Sequence, residues 1–221
     1  MSGLRLVIFD VDGTLVDSQA HIAAAMTAAF AAEGLAPPPL PAMLSVVGLS
    51  LPVALARLAP DLSEEGRARM VERYRGQYFT RRTETASPLY PGARAAIEAL
   101  AAQDNTLLGI ATGKSGRGLD AILAAHGLAR HFVTRQHADL HPSKPHPAMV
   151  LAALDETGVA PENAVMIGDT EFDIAMGRAA CVRTLGVRWG YHPAERLAAA
   201  DALIEDFAAL PGALDRLWGR A

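Results

Sequence analysis

Residues 6–18 read "LVIFDVDGTLVDS". The apolar run Leu6 to Phe9 has the length and β-branched content of a buried strand. It breaks into Asp10 and Asp12, separated by a single valine and followed at once by Gly13 and Thr14. Like charges side by side at a strand end repel unless a cation or a shared proton offsets them. The stretch therefore predicts a strand that ends in a charged site, and the rest of the chain has to supply the compensating groups.

Similar β-rich runs recur at 105–112 ("NTLLGIAT"), 131–135 ("HFVTR"), 163–169 ("NAVMIGD") and 181–189 ("CVRTLGVRW"). Alanine- and leucine-rich stretches with helical spacing separate them, such as "ARAAIEALAAQ" and "PAMVLAALDETG". Strands alternating with helices imply βαβ units, so the expected fold is α/β: a Rossmann-like, doubly wound parallel sheet. The first interval is the exception, with roughly ninety residues where a plain crossover needs about a dozen. It reads helically through "AHIAAAMTAAFAAEG", "PAMLSVV", "SLPVALARLA" and "SEEGRARMVERYRGQYFTRR". Ser63 followed by Glu64 and Glu65 is a helix start, and "YPG" at 90–92 restarts the α/β pattern. The expected division is a core of 1–16 and 88–221 with a helical domain inserted at 17–87, hinged near Leu15 to Asp17 and Ser87 to Pro91.

The 221 residues suffice for a well-packed core; 51% are hydrophobic and 20% charged, and the net charge is -4. That balance points away from nucleic acid. The longest apolar region, "IAAAMTAAFAA", is too short to span a bilayer, so no membrane association is expected. Cys181 is the single cysteine and is read as a small buried apolar residue. With no targeting signal evident, it suggests a cytoplasmic protein. Nothing in the sequence sets an oligomeric state.

The distinctive polar groups all follow strands, where open α/β sheets bind ligands. Asp10 and Asp12 follow the first; Thr112, Gly113 and Lys114 the second; Asp169, with Asp173 four residues on, the fourth. Lys144, in "HPSKPHP", precedes the helix before that fourth strand. Carboxylates, a hydroxyl and an ammonium at one edge suit a dianionic ligand with a hard divalent cation. Mg2+ takes oxygen ligands, which Asp10 and Asp169 can supply. With charge partly neutralised, Asp10 can attack phosphorus while Lys144 and Thr112 hold the other phosphoryl oxygens.

The ordered set "DVDGT", "ATG", "KPHP" and "GDTEFD" strongly resembles the haloacid dehalogenase superfamily of phosphatases, in the branch with a helical cap after the first strand. The resemblance covers nearly the whole chain, and its nearest familiar members are phosphoglycolate phosphatases. It implies that Asp10 forms an aspartyl-phosphate and that Asp12 acts as general acid, then base. It also implies phosphate binding by Thr112, Gly113 and Lys144, and metal binding by Asp10, Asp169 and the backbone carbonyl of Asp12, with Asp173 in the outer shell. Gly48, Leu49 and Ser50 correspond to a cap loop that faces the active site in relatives. Many relatives carry asparagine at position 113, and many carry glycine at position 181. The implied substrate is a small phosphorylated metabolite: phosphoglycolate first, with sugar phosphates, nucleotides and pyrophosphate as alternatives.

Taken singly, these features are ordinary. Asp-x-Asp-Gly is turn chemistry, a threonine after a strand caps helices, and first-turn acids favour a helix dipole. Their joint order is what points to catalysis. His137, His141 and His146 form no zinc pattern and are read as loop residues. The cap arginines 57, 67, 69, 73, 75, 81 and 82 are read as solvated helix faces. Lysine occurs only at 114 and 144, which excludes a Schiff base from a cap lysine and disfavours a mutase. A phosphorylatable regulatory or binding module shares the chemistry but orders these groups differently and lacks the insert.

Overall fold

A computed structural model describes residues 3–84 and 86–219, the side chains of 81–84 excepted. Six strands form one sheet: β1 (Arg5–Phe9), β2 (Thr106–Thr112), β3 (Phe132–His137), β4 (Ala164–Gly168), β5 (Arg183–Val187) and β6 (Ala202–Ile204). Their spatial order is β3-β2-β1-β4-β5-β6 and every pairing is parallel. β1 and β4 are buried at every position, as expected of central strands covered on both faces. The strand period of two divides their side chains between two cores. Val7, Phe9, Val165 and Ile167 face a layer containing α5 (Ala93–Ala101), α6 (Gly116–Ala125) and α9 (Leu210–Leu217). Leu6, Ile8, Ala164 and Met166 face α7 (Ala148–Thr157) and α8 (Glu171–Ala179).

The chain runs from β1 outward to β2 and β3 on one side, then crosses to β4 on the other. That reversal leaves a crevice beyond the carboxyl ends of β1 and β4. Between β1 and β2 lie α1 (Gln19–Ala32), α2 (Leu40–Leu44), α3 (Leu51–Leu58) and α4 (Glu64–Glu84). They share an apolar cluster of their own, which includes Met26, Phe30, Met43, Leu55 and Met70. Ser63 caps α4 by accepting from the Gly66 amide at 3.2 Å, and Glu64 and Glu65 occupy its electropositive first turn. The segments entering and leaving these helices run antiparallel, with Asp17 N donating to Pro88 O (2.9 Å) and Tyr90 N to Leu15 O (3.0 Å).

The structure corrects two sequence readings and adds a strand. His137 is the last residue of β3 rather than a loop residue, because that strand runs beyond its apolar part. Cys181 is exposed rather than buried; it turns the chain out of α8 with φ +59°, the left-handed conformation that favours glycine. β6 went unread because its residues, Ala202 to Ile204, are too few to show a period. Among the cap arginines, Arg69 pairs with Glu33 and Arg75 with Glu72 at the surface, while Arg57 lies over the ring of Phe172. The side chains of Arg81 and Arg82 lie outside the described residues. Among the described residues no helix is long and apolar enough to cross a membrane.

Candidate active site

The end of β1 stays in the sheet through Asp10, whose amide donates to Ile167 O at 2.9 Å. The chain then turns sharply at Gly13, with φ +84°. A Cβ there would fall 2.2 Å from Asp169 Oδ2, and one at Gly190 would fall 2.1 Å from Asp169 Cβ. These glycines leave room for Asp169 at the end of β4. Its carboxylate accepts from Thr14 Oγ1 (2.9 Å) and from the Tyr191 amide (2.8 Å). Asp173 is fixed by a capping box at the start of α8: its Oδ2 accepts from Thr170 N (3.0 Å) and Thr170 Oγ1 (2.6 Å).

Lys144 reaches this cluster from the loop before α7. Its ammonium lies 2.6 Å from Asp173 Oδ1 and 2.9 Å from Asp10 Oδ1; the latter is an ion pair outside hydrogen-bond angles. Asp10 Oδ2 has no hydrogen-bond partner. Asp10, Asp169 and Asp173 each bring a carboxylate oxygen within 4.8 Å of the others, all buried. One ammonium thus contacts two of these three carboxylates, Asp10 and Asp173. Burial pushes Asp10 up to about 7, with Lys144 opposing the rise and Asp173 adding to it. Asp169 is pushed well above the usual carboxylate range by burial and by its neighbours Asp173 and Asp10. Burial also works against the Lys144 ammonium, but Asp10 and Asp173 outweigh it and hold its pKa above the ordinary lysine value. An oxygen-only donor set with surplus negative charge and an unpartnered buried oxygen fits a hard divalent cation.

Asp12 points elsewhere. Its carboxylate accepts from Ser18 Oγ (2.5 Å) and pairs with Lys114 Nζ (2.9 Å). The converging carboxylates are therefore Asp10, Asp169 and Asp173, and the Asp12 carboxylate is not among them. Lys114 also donates to Tyr78 OH at 3.0 Å and sits 4.5 Å from the centre of that ring, joining the β2 loop to α4. Sequence reasoning placed Lys114 beside the site but gave it no role. The signal available was inventory, since the chain's two lysines both fall in the motif stretches "ATGK" and "SKPHP". Ser18 and Tyr191, whose hydroxyl accepts from the Ser18 amide at 2.9 Å, carried no such signal because they are 173 positions apart.

Thr112 ends β2 fully buried, and its hydroxyl accepts from the Lys114 amide at 3.3 Å. A Cβ on Gly113 would fall 2.4 Å from Gly48 O and 2.6 Å from Leu49 O. Gly113 therefore has the inserted helices' loop resting on it. Gly48, with φ +96°, also packs on Thr170, and Ser50 N donates to Ser143 Oγ at 2.8 Å. A cavity of about 710 Å³ lies between sheet edge and helices, with Asp10, Asp12 and Thr112 at its floor and Gly48, Leu49 and Ser50 in its wall. His137, His141 and His146 do not line it.

A family model described as haloacid dehalogenase-like hydrolase matches residues 7–187. The chain is 34% identical to a phosphoglycolate phosphatase of Rhodospirillum rubrum, over 93% of this chain and 89% of that one. It is 32% identical to a protein of Dickeya dadantii named "Probable phosphatase IndB", over 96% and 94%. A hydrolase structure from Pseudomonas syringae superposes with a TM-score of 0.85 at 27% identity, covering 96% of this chain and 98% of that one.

Proposed function

Because this chain belongs to the haloacid dehalogenase-like hydrolases and is a phosphatase of that family, we propose that it hydrolyses small-molecule phosphate monoesters through a phosphoryl group carried transiently on Asp10. The observation that carries this reading is Asp10 itself: a buried carboxylate at the switch point, one oxygen unpartnered, Lys144 beside the other, and Asp12 on the same cavity floor.

An Asp10 oxygen attacks phosphorus, and the bond to the ester oxygen breaks as Asp12 gives that oxygen its proton. Water then attacks the aspartyl-phosphate, losing a proton to Asp12, and inorganic phosphate departs with Asp10 regenerated. Lys144, the Thr112 hydroxyl and the Gly113 amide hold the phosphoryl oxygens. A halide leaves without a proton whereas an alkoxide does not, so Asp12 favours ester hydrolysis over dehalogenation. Mg2+ held by Asp10, Asp169 and the Asp12 carbonyl, with Asp173 outside them, supplies positive charge to the phosphoryl oxygens when bound. Residues 17–87 act as a cap over the core of 1–16 and 88–221; its closure excludes water and its opening releases product. The absence of a membrane-spanning helix among the described residues is compatible with a cytoplasmic enzyme. The relatives' names make phosphoglycolate the first ester to assay.

The test is turnover of phosphoglycolate and an aryl phosphate with Mg2+, with EDTA, and in Asp10→Asn. Activity should vanish with EDTA and return with Mg2+, and the variant should lose roughly 10⁴-fold or more in kcat. Full turnover by Asp10→Asn, or a long-lived phosphoprotein without turnover, would exclude the mechanism.

A further inference from the structure

The cavity above Asp10 and Asp12 has its own chemistry, and it differs from what a two-carbon carboxylate would need. At about 710 Å³ it falls in the range that encloses drug-sized ligands. The volume does not come from a cap held away from the core. Gly48 and Leu49 already rest on Gly113, Ser50 already donates to Ser143, and His192 Nε2 stands 3.2 Å from Ser45 O. The walls that the cap contributes are largely apolar, among them Met26, Met43, Val46, Val47 and Leu49.

Among the described residues the cations lining this space are Lys114, Arg75 and Arg117, and each already has a partner. Lys114 is paired with Asp12 at 2.9 Å and hydrogen-bonded to Tyr78. Arg75 is paired with Glu72 at 3.0 Å, and Arg117 lies 4.1 Å over the ring of Phe79. A substrate carboxylate would compete with these partners for the cations' charge or be buried against methionine and valine, at the cost of its hydration. An uncharged apolar group meets neither penalty and gains from every wall residue it covers.

We infer that the preferred substrate is a phosphate monoester of an uncharged, largely apolar alcohol of ring size or larger, with its ester oxygen at Asp12 and its carbon skeleton against the Met26, Met43 and Val47 wall. This rests on the hydrolase reading and narrows its substrate class.

Full-length enzyme with saturating Mg2+ is assayed on ethyl phosphate, 2-phenylethyl phosphate and phosphoglycolate. The two neutral alcohols have similar acidity, so their difference reports binding rather than leaving-group reactivity. The phenylethyl ester should exceed both others in kcat/KM by about 10-fold or more, chiefly through KM. Val47→Phe, which fills the cavity, should pull the phenylethyl-to-ethyl ratio toward one. On the unaltered enzyme, 2-phenylethylphosphonate should inhibit more tightly than methylphosphonate by a similar factor, a measurement that does not depend on a variant folding. Equal kcat/KM for the two neutral esters, or phosphoglycolate ranked first, overturns the inference while leaving the hydrolase reading intact. No turnover of any ester and no inhibition by either phosphonate would sink both.

Discussion

The chain's two lysines stand at opposite ends of one site and do different work. Lys144 lies wholly within the core, its side chain fully buried between Asp10 and Asp173. Lys114 spans the seam, gripping Asp12 on one side and the cap residue Tyr78 on the other. The first end is a charge cluster fixed by strand ends, a capping box and glycines that leave no spare room. The second is a junction whose partners come from an independent set of helices. On the proposed reading, the sheet sets the phosphoryl chemistry and the inserted helices set what the ester carries.

Four experiments would break or sharpen that contrast. The largest effect is expected at Asp12. Asp12→Asn should lower kcat by roughly 10²–10⁴-fold on alkyl phosphates, and by much less on a nitrophenyl ester whose oxygen leaves without a proton. An equal loss on both esters would remove the general acid from this residue. Next comes a comparison of the lysines by thermal melts in EDTA. Lys144→Met leaves buried carboxylates uncompensated, a fault that costs about 3–5 kcal/mol, whereas Lys114→Met should cost distinctly less because Asp12 retains Ser18 and is less deeply enclosed. If Lys114→Met proved the more damaging, the seam rather than the core cluster would be the stability-critical end.

The third concerns pH. In the metal-free protein Asp10 holds its proton between its ordinary value of 3.8 and about 7, so the folded state binds more protons than the unfolded state there. Its contribution is fully present below the unfolded pKa and is lost as pH rises through the folded one; Asp169, shifted in the same direction, adds to the trend. Metal-free Asp10→Asn should therefore lose less Tm than the unaltered chain between about pH 5 and about pH 8. Added Mg2+ should recover more stability in the unaltered chain. A steeper loss in the variant would mean that the cluster is not charge-strained. The smallest effect is at the exposed turn. Cys181→Gly relieves a left-handed backbone at φ +59° and should raise stability by up to about 1 kcal/mol, or some 2–4 °C in Tm. A lower Tm would show that the thiol makes a contact outweighing that relief.

Much of the core end was legible in the sequence because its signals are local. An apolar run ending in Asp10-Val11-Asp12-Gly13 states both the strand and the turn, and Asp173 four residues after Asp169 suits the first turn of a helix, as α8 shows. The parallel sheet followed from alternating strands and helices, whereas its strand order came only from the structure. The readings that failed concern residues whose environment is set at a distance. Cys181 has an apolar-compatible side chain but a backbone conformation that carries it to the surface, and β6 is too short to show a period. Position 113 was seen as a departure from its relatives, but only the contact with the Gly48 and Leu49 carbonyls gives that glycine a reason.

By itself, then, the sequence determined an α/β chain with a helical insertion and a set of acids, a hydroxyl and lysines at its strand ends, because periodicity and turn chemistry act over a few residues. Only the tertiary structure decided that Asp173 joins Asp10 and Asp169 while Asp12 turns to Lys114, and that the helices between β1 and β2 give the cavity an apolar side, its lining cations among the described residues each having a partner. Those facts depend on burial and on distances between segments far apart in the chain, which residue order does not encode.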